Sequence, residues 1–96
     1  MIYDAIVIGG GVVGCSVLRH LSAYAGNYLL LEKEAEVATG ASAANSGIVH
    51  AGYDCEPGTN KARFNVAGAN RMEEVCRALH VSYQKTGSLV VGRDQD

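Results

Sequence analysis

Residues 7–14 read VIGGGVVG, and the glycines at positions 9, 11 and 14 constrain this chain more than any other feature. The run before them, YDAIVI at residues 3–8, is short, apolar and rich in β-branched side chains, which predicts a buried strand. Beyond them Gly11, Gly14, Leu18, Leu21 and Ala25 recur near the helical period of about 3.6 residues and form one helical stripe. Gly26 and Asn27 tolerate the left-handed conformation and are expected to cap that helix at its C-terminus. YLLLE, residues 28–32, reads as a second buried strand. Strand, tight turn, helix and strand over roughly 30 residues make a βαβ unit, whose crossover sets the two strands parallel. The expected fold class is therefore α/β and Rossmann-like.

Each glycine has its own task in such a turn. Gly9 permits the sharp exit from the strand, Gly11 leaves room for an anionic group to approach the backbone, and Gly14 lets helix and strand pack closely. The anion then rests on unpaired N–H groups at the positive end of the helix. Glu32 stands at the end of the second strand, eighteen positions after Gly14. There a carboxylate can accept both hydroxyls of an adenosine ribose, and it would repel a 2′-phosphate, which disfavours NADP. The plainer reading is a strand-end glutamate in solvent. Strand, glycines, helix, strand and acid in register favour the nucleotide. An adenosine diphosphate could belong to FAD or NAD, and the βαβ pattern alone does not choose. The motif's place at the extreme N-terminus and the polar, glycine-rich loop directly after the acid lean toward FAD.

The rest of the chain is less regular. ATGASAANSG, within residues 33–47, has loop composition with room for a helical turn near Ala41–Ala44, and Ile48-Val49 reads as a brief strand. Thr59 is a candidate N-cap for a long helix in which Met72, Val75, Cys76 and Leu79 follow the i, i+3, i+4, i+7 pattern. Gly68 weakens its middle unless a close contact requires it, and His80 sits near its C-terminus, where positive charge suits the dipole. VSYQKTGSLVVG predicts two short strands around Lys85-Thr86-Gly87, followed by a polar turn at 92–96. Two parallel strands, one brief strand and a terminal pair do not complete a doubly wound sheet, which commonly carries five or six strands. The expectation is the N-terminal piece of a longer protein.

A net charge of −2 with no basic run gives no electrostatic case for a nucleic-acid partner or an anionic membrane. No apolar stretch approaches the roughly 20 residues that span a bilayer, and the N-terminus lacks the basic start of a secretory signal. Cys15, Cys55 and Cys76 are odd in number and widely spaced, so reduced core thiols fit better than a zinc site or disulfide framework. A cytoplasmic chain without membrane insertion is expected, peripheral association with a membrane being left open.

DAIVIGGGVVGCSVLRHLS, LLLEKE and TGASAANSGIVHAGY together resemble the FAD-dependent oxidoreductases of the D-amino acid oxidase superfamily. More narrowly, NSGIVHAGYDCEPGTNKAR and TGSLVVG resemble the branch containing L-2-hydroxyglutarate oxidase and bacterial proteins labelled glycerol-3-phosphate dehydrogenase. The resemblance covers nearly the whole chain and implies the N-terminal part of a two-domain flavoprotein. Residues 1–80 would belong to the FAD-binding domain and residues 81–96 would start a truncated substrate domain. By that resemblance Gly9, Gly11, Val13 and Gly14 cradle the pyrophosphate, and Glu32 with Lys33 meets the adenosine ribose. Ser42, Asn45, Ser46 and Gly47 would run beside the diphosphate and ribityl chain, and His50 would be carried toward the flavin's reactive end. Short hydrogen-bonding side chains and glycines are what a polyol and phosphates require of such a loop.

The implied function is oxidation of the CH–OH group of a small anionic substrate by hydride transfer to flavin, with an electron-acceptor partner to follow. Glycerol 3-phosphate and an L-2-hydroxy acid such as 2-hydroxyglutarate are the two substrate readings. Respiratory glycerol-3-phosphate dehydrogenases carry an arginine a few residues beyond the matching histidine. Here Tyr53 and Asp54 stand there, which shifts the pattern toward the hydroxy acid. His50 is the candidate catalytic residue, as proton acceptor or substrate hydrogen bonder; its alternative is packing against the ribityl chain or a loop backbone. His20, Lys61 and Arg63 read as solvated. An NAD-dependent Rossmann dehydrogenase is the competing enzyme reading, and a nucleotide-binding fragment inactive on its own is the competing reading from another class.

Overall fold

Ala5–Ile8 forms strand β1 and Tyr28–Leu31 forms β2, and they pair in parallel with Ala5 opposite Tyr28 and Ile8 opposite Leu31. Between them runs helix α1, Val12–Leu21, which packs on both strands. The computed structural model describes residues 1–93 and divides the chain into two units, Met1–Gly47 and Ile48–Asp96. The first unit is the expected α/β βαβ. Along β1, Ala5 and Val7 are half-buried while Ile6 and Ile8 are exposed. One face of the sheet is thus covered and the other open.

Helix α1 stops four residues earlier than its apolar stripe predicts. The Ser22 hydroxyl donates to Arg19 O at 2.6 Å, competing with the helical ladder, and turns replace the helix through residue 26. Gly26 is accordingly not a left-handed cap. A Cβ there would lie 2.8 Å from the Tyr28 hydroxyl and 3.0 Å from Asp4 Oδ2, so close approach is what demands glycine. Asp4 locks the entry to β2, accepting the Asn27 N–H at 2.8 Å and donating its own N–H to Asn27 O at 2.8 Å.

The second unit is built on helix α2, Asn60–Ala78. Thr59 caps it as expected, its Oγ1 accepting the Ala62 N–H at 3.2 Å. Met72, Val75 and Cys76 are half-buried, and Leu79 is exposed. Gly52, at φ +89°, is buried against α2, where a Cβ would meet Asn65 Oδ1 at 2.9 Å. Gly68 faces open space. The strands expected at Ile48-Val49 and on either side of Lys85–Gly87 are absent among the described residues. A two-stranded ribbon is marginal in water, and these apolar runs pair with no strand among the described residues. Gly87 does turn the chain, at φ +71°, and Lys85 is tied to Glu73 at 3.1 Å. Of the polar turn expected at 92–96, residues 94–96 lie outside the described residues.

Candidate functional site

The glycine turn is built as its spacing demands. Gly9 leaves β1 at φ +101°, while its N–H still donates to Leu31 O at 2.8 Å. Gly11 is the N-cap of α1, extended and with no side chain to offer as a cap. Gly14 is fixed by contact, because a Cβ there would drive into the Gly9 carbonyl oxygen and crowd Val7 Cγ1 at 3.3 Å. The helical ladder starts with the Cys15 N–H on Gly11 O at 2.9 Å. The N–H groups of Val13 and Gly14 have no acceptor among the described residues, and that of Val12 donates to Ser42 Oγ at 2.9 Å. Donors of this kind at the positive end of a helix suit an anion.

Glu32 follows β2 directly, with both carboxylate oxygens anchored. Oε1 accepts the Gly10 N–H at 2.8 Å and Oε2 accepts the Glu34 N–H at 2.9 Å. The Glu34 N–H, then the Gly10 N–H, hold the carboxyl below its ordinary value of 4.5 against partial desolvation, with Lys33 adding to the lowering. Each oxygen keeps lone-pair capacity for a further donor, so the anchored acid is oriented rather than saturated. Glu32, Lys33, Glu34, Gly11, Ser42 and the 38–41 loop line a cleft of about 570 Å³ with mixed polar and apolar walls. A second groove of about 460 Å³ follows the outer face of α1 past Val13, Val17 and Tyr24. It is almost wholly apolar and offers nothing to a phosphate.

Gly10 is a constrained residue that the spacing of the motif leaves unassigned. It is buried, and a Cβ on it would lie 2.8 Å from Val37 Cγ1 and 3.3 Å from Glu32 Oε1. The unbroken glycine triplet and the lone valine in a polar loop were its traces in the sequence. A cradle that excludes side chains, unpaired helix donors and an oriented carboxylate beside them fit an adenosine diphosphate. Residues 4–96 match the family model of the FAD dependent oxidoreductases called DAO.

The chain belongs to the DAO family of FAD-dependent oxidoreductases. Its cofactor is FAD, which decides between the two dinucleotides that the βαβ pattern leaves open. The chain is 47% identical over 94 residues to a glycerol 3-phosphate dehydrogenase of Caloramator mitchellensis, covering 98% of this chain and 20% of that protein. It is 41% identical over 91 residues to the mitochondrial L-2-hydroxyglutarate dehydrogenase of Caenorhabditis elegans, covering 93% and 21%. The corresponding Homo sapiens enzyme is 35% identical over 99 residues, covering 98% and 21%. The chain therefore spans about a fifth of the length of these relatives. No solved structure matches it.

Within this DAO-family segment the structure brings Gly9, Gly11, Gly14, Glu32, Lys33 and Ser42 to one turn and cleft. Val13 contributes its N–H to the turn, while its side chain lies in the apolar groove along α1. Asn45 organises the following loop: Nδ2 donates to Ala41 O at 3.2 Å and Ser42 O at 2.9 Å, and Oδ1 accepts the Gly47 N–H at 2.8 Å. Ser46 is exposed beside it, and Gly47 turns at φ +68°. His50 belongs to the second unit, where it is exposed in irregular backbone ahead of Gly52.

Proposed function

We propose that this chain is the N-terminal, adenosine-binding segment of an FAD-dependent oxidoreductase that oxidises the CH–OH group of a small anionic substrate. The anchored Glu32 carboxylate, beside the open donors of the glycine turn, carries the cofactor part of this reading, and the names of the relatives support the substrate part. Residues 1–80 form part of the FAD-binding domain and residues 81–96 begin the substrate domain. Gly9, Gly11, Gly14 and the Val13 N–H hold the pyrophosphate, and Glu32 with Lys33 holds the ribose. Ser42, Asn45, Ser46 and Gly47 follow the diphosphate and ribityl chain. When bound, FAD supplies the hydride acceptor for the substrate carbon. His50 takes the hydroxyl proton or orients the hydroxyl.

An L-2-hydroxy acid such as 2-hydroxyglutarate is the favoured substrate, because Asp54 stands where a substrate-phosphate arginine would be expected. Glycerol 3-phosphate is the second reading, supported by the name of the Caloramator mitchellensis relative. A reduced, cytoplasmic setting suits the three free cysteines, and electrons leave to an acceptor partner. Among the described residues no helix is long and apolar enough to cross a membrane.

The test is anaerobic mixing of the full-length flavoprotein with each substrate. Bleaching of the flavin band by L-2-hydroxyglutarate and not by glycerol 3-phosphate is expected. The opposite preference supports the second reading, and bleaching by neither overturns both.

A further inference from the structure

Only two of the described residues are buried, and both are glycines: Gly10 in the turn, and Gly52, two residues beyond His50. Gly52 is held on several counts. Its φ of +89° lies in the left-handed region that favours glycine. A Cβ on it would lie 2.9 Å from Asn65 Oδ1 and 3.1 Å from Val66 Cγ2, so its backbone sits directly against α2. Its carbonyl accepts the Cys55 N–H at 3.2 Å. At the same contact Asn65 Oδ1 is enclosed and meets no donor among the described residues. An unpaired acceptor costs free energy that an apolar side chain of similar size does not, so leucine would serve packing alone better. An amide kept there against that cost points to a task at the segment it faces. That segment carries His50, which is itself exposed in irregular backbone. Two residues of chain span at most about 7 Å, so anchoring Gly52 confines where the His50 backbone can stand.

We propose that Gly52 and Asn65 are positioning residues for the reaction, their contact setting where His50 stands against the substrate hydroxyl. This rests on reading His50 as the group that takes the hydroxyl proton or orients the hydroxyl. Gly52 and Asn65 act through the backbone of residues 50–52 and not by touching substrate. Proton transfer needs heavy atoms about 2.6–3.2 Å apart. A misplacement of about 1 Å can cost roughly a hundredfold in rate. A side chain on Gly52 would displace the segment by a sizeable part of that distance, because 2.9 Å is well inside the roughly 3.5 Å at which non-bonded atoms rest.

The test is the anaerobic rate of flavin reduction in the full-length flavoprotein, at saturating L-2-hydroxyglutarate or glycerol 3-phosphate, whichever bleaches the band. His50→Gln is expected to slow reduction roughly a hundredfold or more. Gly52→Ala is expected to slow it about tenfold or more, with flavin retained and its visible spectrum unchanged. Added to His50→Gln, Gly52→Ala is expected to change the rate by less than about twofold, because residues that act as one unit are not additive. Equal slowing in both backgrounds, or none beside wild-type His50, overturns the positioning role and leaves His50 its own. Where Gly52→Ala does not fold, Asn65→Ala decides, since it removes the contact without adding a side chain. Slowing of about threefold or more beside His50, and none beside His50→Gln, supports the role. An unchanged rate, or equal slowing in both backgrounds, overturns it. An unchanged rate for His50→Gln alone removes the reading of His50, and bleaching by neither substrate removes the function; the proposal falls with either.

Discussion

Gly14 and Glu32 show how differently two residues of one motif act. Gly14 matters for what it lacks, since any Cβ would strike the Gly9 carbonyl oxygen and push α1 off β1. Gly14→Ala is expected to cost about 1–3 kcal/mol, the usual range for forcing a methyl into a packed site. A lowered Tm together with lost flavin retention in the full-length protein would show it, and an unchanged Tm would contradict the contact. Glu32 matters for its charge. Its carboxyl is held below 4.5 by the Glu34 and Gly10 N–H groups, so its stabilising contribution is full above that value and fades as pH falls through the depressed one. Glu32→Gln keeps the shape without the charge. The Tm gap between wild type and variant should therefore be open at pH 7 and close below about pH 4.5. A gap of constant size from pH 7 to strongly acid solution would show that these bonds do not depend on ionisation.

Elements were legible where the chain encodes them locally. The triplet glycines with a β-branched run before them announced β1 and α1, and Thr59 with its downstream apolar spacing announced α2. What escaped was decided by partners distant in sequence or by competing hydrogen bonds. The Ser22 hydroxyl ended α1 early, Ser42 reached back thirty residues to cap it, and the apolar runs at 48–49 and 81–91 pair with no strand among the described residues. The end of α2 hid a further detail. His80 N–H bonds Arg77 O at 3.3 Å and Val81 N–H bonds Cys76 O at 2.8 Å, which is a Schellman motif with histidine in the left-handed place at φ +57°. Glycine is the residue that position prefers, although it adds freedom to the unfolded chain. His80→Gly is expected to stabilise α2 by about 0.5–1 kcal/mol, read as a raised midpoint in urea at unchanged slope. A lowered midpoint would mean that the imidazole has a role that outweighs the strain, such as its charge at the helix C-terminus.

At the scale of the whole molecule a cofactor motif stands, among the described residues, without a buried core to support it. Among the described residues no hydrophobic side chain is buried; Ile6 and Ile8 on the open face of the sheet are 52% and 84% exposed. Doubly wound sheets are covered on both faces, and a pair of parallel strands is far from the usual strand number. The relatives are about five times as long. On the proposed reading the cleft at Glu32 takes the adenosine end of FAD, whereas affinity for the whole cofactor also depends on ordering the turn that lines it. A ligand that binds only the ordered form is weakened in proportion to how seldom that form is populated. The 96 residues alone, mixed with equimolar FAD and passed over a sizing column, are therefore expected to elute colourless. They should also bind a hydrophobic dye through the uncovered sheet face and the α1 groove. A yellow, stoichiometric complex would contradict this, and would mean that the βαβ unit orders itself well enough to hold flavin before any further sheet is added.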